Sequence, residues 1–147
     1  MRVFFDTSTL LAAIVSGHPA HPIAQPLLKR VKDKADTGLI AAHSLAELYA
    51  NLTKLPVRPR IAPTLALQLI QHNVIETCQI VSLSGNDYVT LLDHLAGQGI
   101  AGGAIYDALL LHAAWLANVD QIITLNLRDF RRVYPPLADK IVSPLEQ

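Results

Sequence analysis

The segment Gly102–Phe130 constrains the fold of this chain more than any other stretch. It opens with two glycines and continues as a helix-period run, Ala104–Asn118, that is apolar on nearly every face. A helix that lacks a polar face is normally buried, so this helix must be covered on most sides. The residues after it predict a short strand at Gln121–Thr124 and a polar turn at Leu125–Asp129.

Asp107 is the polar exception in the first turn of this apolar helix. It shares a helical face with Leu111, Ala114 and Asn118, and an unpaired charge is costly to bury there. The carboxylate must therefore be neutral or matched by a cation. The alternative is a structural role, in which Asp107 stabilises the helix N-terminus by about 0.3–1 kcal/mol through the helix dipole.

Two further acids occupy positions that suit either chemistry or helix capping. Asp6 directly follows the apolar run Arg2–Phe5, and ligand sites of α/β sheets lie at the carboxyl ends of strands. Asp6 can alternatively cap the helix that follows, as Thr7 or Ser8 can. Glu47 lies on the flank of a leucine stripe, but Ser44-x-x-Glu47 also fits a capping box, in which Glu47 only bonds the backbone.

Strands alternate with helices along the whole chain, which predicts an α/β fold. The predicted strands are Arg2–Phe5, Gly38–Ala42, Thr77–Leu83, Gln121–Thr124 and the edge strand Ile141–Val142. The predicted helices are Thr9–Val15, Ile23–Lys34, Leu45–Leu55, Thr64–Asn73, Asp87–Ala96 and Ala104–Asn118. This order favours a three-layer α/β/α domain with a central, mainly parallel sheet of four to five strands. At 147 residues, the chain is expected to form one domain, 1–147.

The charges and the single cysteine indicate which substrates and which cell compartment suit this chain. The net charge is zero, but if Asp6, Glu47, Asp107 and Asp129 converge, the rest of the chain carries twelve bases against eight acids, a net charge of +4. A positive rim around an acidic pocket suits a phosphate-backbone substrate. A single cysteine, the absence of a membrane-spanning run and an N-terminal apolar segment interrupted by Asp6 predict a cytoplasmic protein.

Convergence of these acids would define the chemistry. Clustered carboxylates repel one another and have raised pKa values unless a hard cation neutralises them. Oxygen ligands suit Mg²⁺ or Mn²⁺ rather than zinc. Metal-assisted hydrolysis of a phosphodiester uses such a group of acids.

Four motifs carry a resemblance to a known family: FFDTSTLLA, HSLAELYANL, GGAIYDALLLHAA and TLNLRDF. In this order and at these separations they resemble the motifs of the PIN-domain nucleases. They are most similar to the small VapC-type toxins of bacterial and archaeal toxin–antitoxin pairs. The resemblance covers essentially the whole chain and implies a PIN-like fold.

The resemblance also implies roles for individual residues. The catalytic and metal-binding acids would be Asp6, Asp107 and Glu47, the last directly or through water, with Mg²⁺ or Mn²⁺ as the cofactor. Thr7, Ser8 and Thr124 would support them. Many relatives carry an aspartate two residues after the threonine, where this chain has Asn126, which can coordinate but supplies no charge. Asp129 is the alternative source of that carboxylate.

The leading functional hypothesis is a metal-dependent endoribonuclease toxin that acts on structured RNA. The family further implies a homodimer and a small VapB-like antitoxin whose tail occupies the acidic cleft. We expect the RNA to contact the basic loop at Arg58 and Arg60, together with Arg128. Two alternatives remain, namely a PIN nuclease for RNA processing outside a toxin pair and an RNA-binding module with weakened catalysis. A phosphotransfer enzyme is disfavoured, because Ser8 stands where dehalogenase-like phosphatases need a second aspartate.

Overall fold

The computed structural model describes residues 1–146, and their core is a five-stranded sheet. The strands are β1 (Arg2–Phe5), β2 (Thr37–Ala41), β3 (Cys78–Val81), β4 (Gln121–Ile123) and β5 (Ile141–Val142). The helices are α1 (Thr7–Ile14), α2 (His21–Lys32), α3 (Ala42–Lys54), α4 (Pro63–Ile70), α5 (Gly85–Gly97), α6 (Ala104–Leu116) and α7 (Leu127–Val133). All pairings are parallel, in the order β3-β2-β1-β4-β5.

Side-chain alternation in the central strand β1 gives the sheet two apolar faces. Phe4 points into a core built with α5, α6 and α7, while Val3 and Phe5 belong to a second core built with α1 to α4. Successive residues of a strand point to opposite faces, so one fully buried strand serves both layers. The predicted three-layer α/β/α fold with a parallel sheet is therefore confirmed.

Helix α6 is buried through its middle, as its apolar sequence predicts. Residues 108–114 are all buried, and they pack against the sheet between α5 and α7. The two ends differ, because Tyr106 is 54% exposed and Trp115 is 52% exposed. Asp107 thus lies where the helix emerges from the core, next to the carboxyl edge of the sheet.

Two helix starts differ from the prediction. Helix α1 begins at Thr7, so neither Thr7 nor Ser8 is its cap; Asp6 holds that position, without a capping hydrogen bond from its side chain. Helix α7 begins at Leu127, so much of the predicted turn 125–129 is helical. In both cases the chain passes from a buried strand into a helix almost at once, which periodicity over so few residues does not reveal.

The capping box predicted at Ser44 and Glu47 does not form. Strand β2 runs directly into α3, which places Ser44 inside the first turn rather than at the cap. The box at the start of α5 does form, with the Asp87 amide donating to Ser84 Oγ at 3.1 Å and the Ser84 amide donating to Asp87 Oδ2 at 2.8 Å. Glu47 is therefore free for another role. Among residues 1–146, no helix is both long and apolar enough to cross a membrane.

Candidate metal centre

Asp6 is the most buried of the candidate acids. It directly follows the central strand β1, and only 6% of its surface is exposed. Its Oδ2 accepts hydrogen bonds from Ser8 Oγ at 2.5 Å and from Thr124 Oγ1 at 2.7 Å. Burial raises the pKa of Asp6 above its ordinary value, and these two hydrogen bonds oppose that rise. The hydroxyls therefore fix one carboxylate oxygen and help to keep it ionised.

The end of β4 is tied to the same carboxylate. Thr124 is fully buried, and its Oγ1 also accepts a hydrogen bond from the Asn126 amide at 2.9 Å. The Leu125 amide donates to Ser8 Oγ at 3.3 Å. The loop after β4 and the start of α1 thus share one hydrogen-bond network centred on Asp6. Ser8 and Thr124, which were predicted to support the acids, both contact the Asp6 carboxylate.

Thr7 connects Asp6's helix to α3. Its Oγ1 lies 3.1 Å from Glu47 Oε1 and 3.0 Å from the hydroxyl of the buried Ser44. Burial raises the pKa of Glu47, and the charge of Asp6 raises it further, while His43 and Thr7 lower it. His43 Nε2 is 3.6 Å from Glu47 Oε1. Glu47 therefore faces Asp6 across the carboxyl edge of the sheet, with a histidine on its outer side.

The pKa of Asp107 indicates that several acids lie near one another. Its pKa is raised to about 6, first by burial and then by the negative charges of Asp6, Asp129 and Glu47, against a smaller opposing effect of Arg132. Like charges raise a carboxyl pKa only when they lie nearby. Acids from four chain segments therefore act on one another, and a helix-dipole role alone does not describe Asp107.

The segment that carries Asp129 lies at the exposed side of the four acids. Asp129 is in the first turn of α7, where its Oδ1 is 3.9 Å from Arg132. Asn126 and Arg128 are exposed on the same segment. Asn126 contributes its backbone amide to Thr124. Asp129 thus acts on Asp107 through its charge, while Asn126 contributes to the network through its backbone.

The donor set fits a hard divalent cation. The candidate side chains offer oxygen atoms, and their uncompensated negative charge is what such a cation neutralises. Within residues 1–146, however, no three His, Cys, Asp or Glu side chains form a ready-made metal cage. Asp6 and Asp107, with Glu47 on the flank, are the groups that would hold the ion.

The structure does not bring Arg58 and Arg60 to the acids. Both are exposed in the loop between α3 and α4, and Arg60 Nη1 bonds the Lys54 carbonyl at 3.4 Å. The same loop packs near Ile14 and Val15, at the end of α1 that points away from Asp6.

A stacked pair at the mouth of the site was missed as a functional feature. The rings of His43 and Tyr106 stack with centroids 5.6 Å apart and an interplanar angle of 7°. His43 is four residues before Glu47 on α3, and Tyr106 directly precedes Asp107. The i, i+4 spacing of His43 and Glu47 was the available signal, since such residues meet on one helix face.

Comparison with known proteins identifies the family of this chain. The PIN domain family matches residues 3–135. Ribonuclease VapC40 of Mycobacterium tuberculosis is 34% identical over 123 residues, which cover 84% of this chain and 85% of that protein. Ribonuclease VapC27 of the same organism is 33% identical over 109 residues, which cover 74% of each.

Solved structures share the fold. VapBC2 from Rickettsia felis, bound to a DNA fragment from its promoter, matches with a TM-score of 0.66 and 23% identity over 97% of this chain and 98% of that one. Mycobacterium tuberculosis VapC20, described as a toxin that cleaves the sarcin-ricin loop, matches with a TM-score of 0.62 and 14% identity over 82% of this chain and 86% of that one. By its family match and its relatives, this chain belongs to the PIN-domain family, in the VapC-type group.

Proposed function

We propose that this chain is a Mg²⁺- or Mn²⁺-dependent endoribonuclease, and that it is the toxin of a type II toxin–antitoxin pair. One observation carries the proposal: the buried carboxylate of Asp6 is held by Ser8 and Thr124 at the end of the central strand, and Thr7 beside it is hydrogen-bonded to Glu47. The pKa of Asp107 is raised first by burial and then by the charges of Asp6, Asp129 and Glu47, which agrees with this grouping. Carboxylates that raise one another's pKa values are typical of functional sites, because their repulsion destabilises the fold unless a ligand neutralises it. The relatives named as ribonucleases support the choice of reaction. Residues 1–147 would act as a single cytoplasmic PIN domain.

The acids would hold the divalent ion, which, when bound, activates water and stabilises charge on the phosphodiester oxygens. Asp6 and Asp107 would be ligands, and Glu47 would bind directly or through water. Ser8 and Thr124 would fix the Asp6 carboxylate, because both donate to its Oδ2. Thr7 would hold Glu47 in place through its 3.1 Å hydrogen bond.

The exposed side of the site would handle the substrate and the partner. Arg132 lowers the pKa of Asp107, so its charge reaches the acids, and it would balance the negative charge of an incoming phosphate. Arg128 lies on the same helix, whereas Arg58 and Arg60 would contact a more distant part of the RNA. A small VapB-like antitoxin would block the acidic cleft, and the active form would be a homodimer.

The test is cleavage of total cellular RNA by purified protein with Mg²⁺, with Mn²⁺ and with EDTA. Asp6→Asn and Asp107→Asn should each abolish the discrete fragments that the wild type gives with metal. Asp139→Asn, at an exposed acid outside the site, is the matched control and should cut normally. Absence of cleavage with either metal, while RNA still binds, would instead favour an RNA-binding module.

The toxin role has its own test. Expression of the wild type alone should arrest growth, and co-expression of a small protein encoded beside it should restore growth and copurify. A nuclease that cuts RNA without arresting growth, and that has no such neighbour, would be an RNA-processing enzyme instead.

A further inference from the structure

A small cavity lies beside the acids, and the proposed chemistry does not use it. It has a volume of about 250 Å³ and opens where β2 and β3 end. Its lining comes from four places: the β2–α3 junction with His43, the residues after β3 with Ser82, the first turn of α5 with Tyr88, and α6 with Leu109. The cavity thus belongs to the same carboxyl edge of the sheet as Asp6.

Two elements connect the cavity to the acid site. His43 lines the cavity, and its Nε2 is 3.6 Å from Glu47 Oε1. Leu109 lines it from α6, the helix whose first turn carries Asp107. Strand β2 is also the direct neighbour of β1, at the usual spacing of about 4.8 Å. The cavity and the acid site are therefore linked through His43 and through the neighbouring strands β1 and β2.

The residues that line the cavity favour a neutral, planar ligand. No Asp, Glu, Lys or Arg among residues 1–146 lines the cavity, and its one histidine, His43, is already paired with Glu47, so the lining offers no free cation to a phosphate. Its lining residues include the aromatic His43 and Tyr88, several aliphatic residues, and Ser82. Its volume lies below the roughly 300–1,000 Å³ of pockets that enclose drug-sized molecules. Unpaired nucleobases bind proteins by stacking on such rings and bonding at their edges.

We propose that this cavity receives one unpaired nucleobase of the RNA, from a nucleotide next to the phosphate held at the acids. The proposal rests on the proposed nuclease function, because that function supplies the RNA. Tyr106 holds the His43 ring by stacking at an interplanar angle of 7°, which keeps this wall of the cavity in place. The cavity would then align the backbone with the acids, and it would favour single-stranded segments over duplexes.

The test uses the full chain carrying Asp6→Asn, so that RNA is bound without being cut. The probe is a set of oligouridines, each with one 2-aminopurine, whose fluorescence falls when the base stacks. One probe position should be quenched on binding. Adding Tyr88→Ala should remove this quenching and weaken binding of that probe by about 5- to 150-fold. Tyr88 is 41% exposed, so its truncation leaves the core intact.

Two further variants separate stacking from other effects. Tyr88→Phe keeps the ring and should retain both quenching and affinity. His72→Ala removes a histidine from another i, i+4 pair with a glutamate, His72–Glu76, which is exposed and does not line the cavity, and should change nothing. Quenching that survives Tyr88→Ala at unchanged affinity, or the absence of quenching at every position, would overturn the proposal.

Cleavage by the wild type, measured in parallel with Mg²⁺ and Mn²⁺, keeps the two proposals apart. Cleavage without quenching would refute the base pocket and leave the nuclease intact. Quenching that Tyr88→Ala removes, without cleavage under either metal, would refute the nuclease and support the pocket. If Tyr88→Ala instead releases a copurifying protein and leaves RNA binding unchanged, the cavity is a protein contact and the proposal fails.

Discussion

The hydroxyl of Thr124 donates a 2.7 Å hydrogen bond to the buried carboxylate of Asp6, from a position 118 residues later in the chain. The bond joins the ends of β1 and β4, which are neighbours in the sheet. The carboxylate that the proposed chemistry most needs is thus oriented by the loop that carries Asn126 and leads to Asp129.

Replacing Thr124 by valine tests this bond. The variant keeps the shape of the side chain but leaves a buried carboxylate with one donor fewer, and a hydrogen bond to a charged group contributes about 1.5–3 kcal/mol. We expect urea unfolding to show a loss of stability of about that size and cleavage to fall with it. Thr53→Val is the control, because its hydroxyl bonds only carbonyls of its own helix α3, those of Tyr49 and Ala50, and it should stay within about 0.5 kcal/mol. Equal effects of the two variants would contradict the account.

Removing one acid should stabilise the metal-free protein. The charges of Asp6, Asp129 and Glu47 act unfavourably on ionised Asp107, so Asp107→Asn relieves repulsion at neutral pH. In EDTA we expect its melting temperature to exceed that of the wild type, and Mn²⁺ should raise the wild-type value but not that of the variant. Asp139→Asn, at the surface, should follow the wild type in both conditions. A lower melting temperature for Asp107→Asn in EDTA would show that the acids do not repel one another.

The ion pair of Arg30 and Asp36 predicts that the protein loses stability as the pH falls into the acid range. Hydrogen bonding to Arg30 is the first cause that lowers the pKa of Asp36, and the N-terminal ammonium group adds to it. Because the folded-state pKa lies below the unfolded value, the pair stabilises the fold fully above about pH 4 and loses that contribution as the pH falls through the folded pKa.

The measurement is the unfolding free energy between neutral pH and pH 2. The difference between wild type and Asp36→Asn should shrink as the pH falls below about 4. Asp33→Asn is the control, because its pair with Lys29 is more than half exposed on both sides and such surface pairs contribute little. A difference that does not change with pH would exclude the ion pair as its source.

Gly38 lies where an added side chain would be too close to its neighbours. A Cβ at this position would lie 2.7 Å from Val31 Cγ1 and 2.9 Å from Cys78 Sγ, between β2 and the helix α2 that covers it. Gly38→Ala should therefore destabilise the protein by about 1–3 kcal/mol through overpacking. Gly17→Ala, where nothing lies within 4 Å of the added atom, should not. Chemical denaturation of both variants decides the matter, and equal stabilities would contradict the packing described for β2.

The sequence predicted the strands, the layers and the buried helix because each depends on local periodicity. Local sequence does not separate the pattern at Ser44, which caps no helix, from the similar one at Ser84, which caps α5. The difference is that β2 continues into α3 without a loop, so the Ser44 hydroxyl meets that of Thr7, at 3.0 Å, instead. A contact between residues 37 apart in the chain leaves no local signal.

For the candidate site, too, contacts between residues far apart in the chain could not be predicted. Asp6 and Asp107 could be chosen because a charge interrupts an apolar run, which needs no knowledge of neighbours. The stacking of His43 on Tyr106 joins two different helices and could not be found in that way. Charge alone makes Arg58 and Arg60 candidates for RNA contact, and only the packing of their loop near the end of α1 shows that they lie away from the acids.

The central claim is that carboxylates from separate segments act together on one divalent ion. A calorimetric titration of Mn²⁺ into wild type, Asp6→Asn, Asp107→Asn and the double variant tests it most directly. The account predicts saturable binding to the wild type, and in each single variant a loss nearly as large as that in the double variant, because residues that share one ligand are not additive. Unchanged Mn²⁺ affinity in either single variant would contradict the claim.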